Sequence, residues 1–121
     1  MTGAEAKSEE SWRRILAPYM TPNVGLSVQN VLTSVVPYLG LVLAMCFALH
    51  VSVWLVLALS IPAAGFLTRT FIVFHDCAHG SFLPSKRANS LLGASLSPLV
   101  YMPFASWRHE HAIHHATTGD L

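Results

Sequence analysis

The chain has 121 residues, of which 53% are hydrophobic and only 11% charged, with a formal net charge of +1. Mean hydropathy is +0.50, and charged residues hold roughly half the share they take in soluble domains, so the composition is that of a membrane protein. The near-neutral balance gives no basis for nucleic-acid binding, and the two cysteines, Cys46 and Cys77, form neither a CxxC pair nor a disulfide framework.

The opening "MTGAEAKSEE" is too acidic and polar to begin a cleavable signal peptide, and residues 1 to about 8 read as a disordered tail. "SEESWRRILAPYM" then offers a capping serine, early acids, and Trp12, Ile15 and Leu16 beside Arg13 and Arg14. That pattern predicts a short helix at the membrane surface, with residues 1–30 forming a cytoplasmic or interfacial N-terminus. From 31 to 49 the chain is apolar and long enough to cross a bilayer, which takes roughly 20 residues. A second span is expected over 51–74. Pro37 and Pro62 fall inside these spans, where proline is tolerated.

The link "HVS" is so short that the two spans form an antiparallel hairpin. No lysine or arginine lies at its tip, where His50 reads as an interfacial polar group. Arg13, Arg14, Lys86, Arg87 and Arg108 all lie beyond the other ends, which predicts that both ends of the hairpin are cytoplasmic. Arg69 is expected to snorkel toward the headgroups on that side. A further apolar stretch at about 91–104 is too short to span and carries Pro98 and Pro103. It is expected to dip into the membrane or lie on it, with Trp107 and Arg108 anchoring its exit. A single crossing there would put the histidines on its two sides on opposite faces of the membrane.

Those histidines fall in two clusters. In "FIVFHDCAHGSF", His75 and His79 are spaced i, i+4 on one helical face, followed by Gly80 as a helix stop. "WRHEHAIHHATTGDL" holds four of the chain's seven histidines. At about 100° per residue, His111, His114 and His115 fall within roughly a 100° arc of a helix, and His109 points away from them. Zinc-protease motifs do not fit: HExxH from His109 meets Ile113, and HxxEH ending at His111 meets Trp107. Converging neutral imidazoles suit a borderline metal such as iron, zinc or copper. Five exceed what one tetrahedral zinc takes, which points to two metals or to one with a larger shell. Asp76 and Glu110, beside these histidines, are candidates to orient imidazoles by accepting their N–H bonds.

"HDCAHGSF" followed some thirty residues later by "WRHEHAIHHATTGDL" closely resembles the first and second histidine boxes of the membrane fatty acid desaturases. The chain looks nearest to the Δ12/ω6-like acyl desaturases and their bacterial branch, which "LAPYMTPN" and "PYLG" also resemble. Carried over residue by residue, the resemblance implies metal ligands at His75 and His79 from the first box, and at His111, His114 and His115 from the second. It also implies a cytoplasm-facing centre of two iron ions, an acyl-lipid or acyl-carrier substrate, and an electron donor such as ferredoxin or a cytochrome b5-type protein.

The expected fold is an all-α membrane protein: a transmembrane helical hairpin, then cytoplasm-facing histidine-box helices (residues 75–121) and a re-entrant or interfacial segment. A bacterial inner membrane is the expected location. The resemblance further implies a third box and a second pair of spans, which this chain lacks. Residues 1–121 are therefore expected to be the N-terminal part of a single desaturase domain, inactive by itself. Two other functions fit the boxes: a related membrane hydroxylase, ketolase or alkane oxygenase, and a non-enzymatic metal-binding membrane remnant.

Overall fold

A computed structural model describes residues 11–19 and 21–118, and every regular element among them is helical. Residues 11–16 are helical and run into a 3-10 turn at Ala17–Tyr19, with Trp12, Ile15 and Leu16 exposed. The expected tail at 1–8 lies outside the described residues.

Helix α1, Val24–Ala48, starts where the Asn23 side chain accepts the Leu26 N–H at 3.1 Å. That cap draws the helix start back from the expected 31 to Val24, so Ser27, Gln29 and Asn30 join an otherwise apolar helix. Helix α2, Val53–His79, begins with the Ser52 hydroxyl accepting the Trp54 N–H at 3.2 Å. It does not stop at 74: the first histidine pair lies on the last turns of the same helix as the second apolar run.

Both helices are long and apolar enough to cross a membrane, with mean hydropathies of 2.1 and 1.7 over their most apolar stretches. Only 17% of each stretch is buried, whereas the core helix of a soluble domain would be mostly covered. Trp54 is 76% and Ile61 75% exposed, which suits lipid as the surrounding solvent. Arg69, expected to snorkel, donates from Nη2 to the Thr33 hydroxyl at 3.2 Å and so ties α2 to α1.

Gly80 ends α2 in the left-handed region at φ 70°. Its N–H donates to the Cys77 carbonyl at 3.0 Å and the Ser81 N–H to the Asp76 carbonyl at 3.1 Å, a glycine stop that satisfies the helix's last carbonyls. The following loop is held by Asn89, which is 1% exposed. Its amide donates to the carbonyls of Gly80, Leu83 and Ser85, and its oxygen accepts the Leu83 N–H at 2.9 Å. The Ser27 hydroxyl, on α1, donates to the Phe82 carbonyl at 2.7 Å.

Helix α3, Lys86–Val100, has 15 residues, fewer than the roughly 20 a crossing requires. Tyr101 takes a left-handed conformation at φ 58°, and Pro103 opens helix α4, Phe104–Thr117. The Ser97 hydroxyl accepts the Phe104 N–H at 3.1 Å across this turn. The chain therefore doubles back instead of crossing, and α4 returns alongside α2. The buried core lies where α2, α3 and α4 meet and comprises Val73, Phe74, Cys77, Phe82, Leu96, Val100 and Phe104.

Candidate metal centre

Helices α2 and α4 are joined by a run of aromatic contacts that advances along both chains together. Phe74 meets Phe104 edge-on with centroids 5.3 Å apart, and Trp107 lies 5.1 Å from Phe74 and 5.8 Å from His75. His111 then follows at 4.8 Å from His75 and 5.0 Å from His79, and His115 at 5.1 Å from His79. The i, i+4 spacing of 107, 111 and 115 on α4 matches that of 71, 75 and 79 on α2. Two helices running in the same direction can therefore bring the rows side by side.

The result is four imidazoles around one point. Ligand atoms of His75, His79, His111 and His115 all lie within 4.8 Å of one another. Nε2 of His79 is 3.3 Å from Nε2 of His75 and 3.0 Å from Nε2 of His111, which is itself 3.0 Å from Nε2 of His115. A neutral imidazole offers one donor and one acceptor nitrogen, so four inward Nε2 atoms cannot satisfy one another well. A cation among them would take all four lone pairs at once. Desolvation, then the imidazoles of His115, His75, His79 and His114, holds His111 below the ordinary histidine range, favouring the neutral, ligand-competent form.

Of the five histidines carried over from the two boxes, His114 stands apart. It is exposed, and its ring lies 6.1 Å from that of His115. The facing side of α4 follows the 107–111–115 row, and residue 114 lies about 100° around the helix from 115. His109 is exposed and outside the group, as the helical phase predicts. The Nδ1 of His75 lies 3.2 Å from Oδ1 of Asp76, close enough for an Nδ1–H to donate to the carboxylate and leave Nε2 free toward the group. Glu110, the other acid singled out, is exposed and bonds no imidazole among the described residues. Trp107, expected to anchor the chain at the interface, is instead half-buried against Phe71, Phe74, His75 and His111. Its position four residues before His111 carried that signal.

An apolar helical hairpin whose second helix carries histidines into a four-imidazole cluster defines an all-helical, membrane-type protein with a cluster that could hold a metal ion at the end of the hairpin. The family model for fatty acid desaturases matches residues 52–121. The chain belongs to the fatty acid desaturase family. It is 40% identical over 116 residues to a fatty acid desaturase of Bacillus subtilis (strain 168), covering 96% of this chain and 33% of that protein. It is 39% identical over 98 residues to the chloroplastic omega-6 fatty acid desaturase of Arabidopsis thaliana, covering 78% of this chain and 20% of that protein. Against the chloroplastic sn-2 acyl-lipid omega-3 desaturase (ferredoxin) of Helianthus annuus it is 36% identical over 96 residues, 78% of this chain and 21% of that one. The chain thus spans a third or less of the length of these relatives. No solved structure matches it.

Proposed function

We propose that the protein contributes the first two histidine boxes of an O2-dependent acyl desaturase and that His75, His79, His111 and His115 hold iron. The observation that carries this is the convergence of four Nε2 atoms, two from each box, on one point. The donor set fits the metal: neutral imidazoles suit iron, and Asp76 accepting from His75 supplies the second layer that metal-bound imidazoles usually have. When bound, iron would supply the redox chemistry that breaks unactivated C–H bonds, which no side chain can do alone. The protein's residues aim the imidazoles, favour the neutral form at His111, and hold the group at the end of the apolar hairpin, where an acyl chain can reach it.

A centre of two iron ions needs more donors than these four, and exposed His114 is the next one available in the second box. The substrate on this proposal is an acyl lipid or a carrier-bound acyl chain. The electron donor is a ferredoxin or a cytochrome b5-type protein; the Helianthus relative's name specifies ferredoxin. On this proposal the membrane is a bacterial inner membrane and both hairpin ends and the site face the cytoplasm; the basic residues Lys86, Arg87 and Arg108 near the histidine end support that orientation. A reporter fused behind α4 that proved external would refute this orientation.

The function is tested by product. Expression of the complete gene, in a host without polyunsaturated lipids, should yield new double bonds in extracted acyl chains. Hydroxylated or ketonic products would assign the boxes to oxygen insertion instead.

A further inference from the structure

His75 and His111 are held in different ways. His75 has a carboxylate on its Nδ1, from Asp76. Among the described residues nothing hydrogen-bonds the Nδ1 of His111; its recorded polar contacts are both at Nε2, to His79 and His115. Yet His111 is the hub of the group, touching both a first-box and a second-box imidazole at 3.0 Å. Its orientation therefore has to come from something other than the usual hydrogen bond.

Trp107 supplies it. The indole lies one helical turn before His111 and stacks on the imidazole, with centroids 4.4 Å apart and planes 14° from parallel. The indole is itself fixed from the other helix. Phe71 meets it edge-on at 5.6 Å and 83°, Phe74 at 5.1 Å, and His75 edge-on at 5.8 Å. Phe74 is fully buried, so the indole rests on a wall that does not yield. A ring stacked in this way keeps one plane, and for imidazole the plane fixes the direction of the Nε2 lone pair.

We propose that Trp107 is a positioning residue that replaces the missing hydrogen-bond partner of His111 and holds its Nε2 on the point shared with His75, His79 and His115. The same indole touches His75, so it also sets the spacing between the two boxes. This role rests on the metal centre proposed above. What the stack requires is a flat ring, so phenylalanine should serve at 107 and leucine should not, although both are apolar.

The test is Co(II) titration of the purified protein in detergent micelles, in a Trp12→Phe, Trp54→Phe background that leaves Trp107 as the sole indole. Co(II) d–d absorption reports the nitrogen ligand field, and emission from Trp107 reports metal arriving at its stacked neighbour. Loss of one aromatic stack should lower affinity about threefold to tenfold in Trp107→Leu. Trp107→Phe should stay within about twofold of the parent, and indole emission should be quenched in step with uptake. Equal affinity in the leucine variant, or equal loss in leucine and phenylalanine variants, would overturn the positioning role alone. If Trp107→Leu fails to fold, the parent's emission decides: cobalt uptake without quenching overturns the role. No cobalt uptake by the parent would overturn the metal centre, and the positioning role with it.

Discussion

Gly93 is the position where a single methyl group tests whether packing between α3 and α4 sets the geometry of the histidines. An ideal Cβ there lies 2.1 Å from Cε2 of Phe104 and 2.5 Å from Cδ2 and Cζ. Ordinary contact begins near 3.4 Å, so the ring must retreat by about 1.3 Å, the difference between these two distances. Phe104 has little freedom to do so, being 6% exposed and edge-on against the fully buried Phe74. Two effects of Gly93→Ala then oppose each other. Alanine in a helix interior gains about 0.8–1.0 kcal/mol over glycine, whereas overpacking a filled core costs about 1–3 kcal/mol. The clash should win, for a net loss of about 1 kcal/mol and a lower melting temperature by circular dichroism in micelles. Because Phe104 opens α4, its displacement should carry His111 and His115 away from His75 and His79. Co(II) affinity should fall about tenfold, the lower end of what disturbed supporting residues cost a metal site. A raised melting temperature with unchanged affinity would refute the reasoning, showing that α4 is not seated through this contact.

Asn89→Ala removes the amide that holds three carbonyls and one N–H of the loop after Gly80, all in a nearly closed position. A loss of about 2–3 kcal/mol is expected from chemical denaturation, and a change under 0.5 kcal/mol would mean that water replaces the side chain. Among the histidines, alanine at 111 or 115 should abolish tight Co(II) uptake and alanine at 109 should leave it intact; His114→Ala should cost less than His115→Ala, and the reverse order would show that α4 is rotated from the phase seen here. Stability should also follow pH with a defined sign. The His111 pKa is lowered by folding, so its contribution to stability is present in full above about 6.5 and is lost progressively as pH falls from there through the lowered value. Stability that rose as pH fell below 6.5 in a comparison of the parent with His111→Ala would contradict this.

The hairpin was legible in the sequence because hydropathy and the three-residue link leave few alternatives, and Gly80 after His79 marked the end of α2. The start of α1 was not, since hydropathy begins at 31 while the helix is set by a polar cap at Asn23. The two histidine clusters were legible in the sequence, but not the point on which they converge. Helical phase puts His109 on the far side of α4, and it lies outside the cluster, yet phase treats 111, 114 and 115 as one face because the arc alone does not say which edge meets a neighbour. That edge is chosen by Phe104 and Trp107, which lock α4 against Phe71 and Phe74 and so turn the 111–115 row inward. Trp107 beside Arg108 has the look of an interfacial anchor, and only the partner helix reveals it as a packing residue.

The continuity of α2 links the apolar hairpin to the histidines in a way that separate elements would not. Its 27 residues extend about 40 Å at 1.5 Å per residue, against a hydrocarbon core of about 30 Å. If Val53 marks one edge of the core, the chain leaves the other near residue 73, and His75 and His79 follow within two turns. The imidazoles then lie at headgroup level, where the acyl substrate proposed above would reach them without leaving the membrane entirely. Because no break in α2 intervenes, their height and rotational phase are inherited from the apolar helix. The second box has no such anchor of its own: α4 takes its position from α3, the Gly93–Phe104 contact and the aromatic row. One half of the site is thus fixed by the membrane-length helix and the other by side-chain packing, which is why the substitutions expected to disturb the metal centre from a distance fall on α3 and α4.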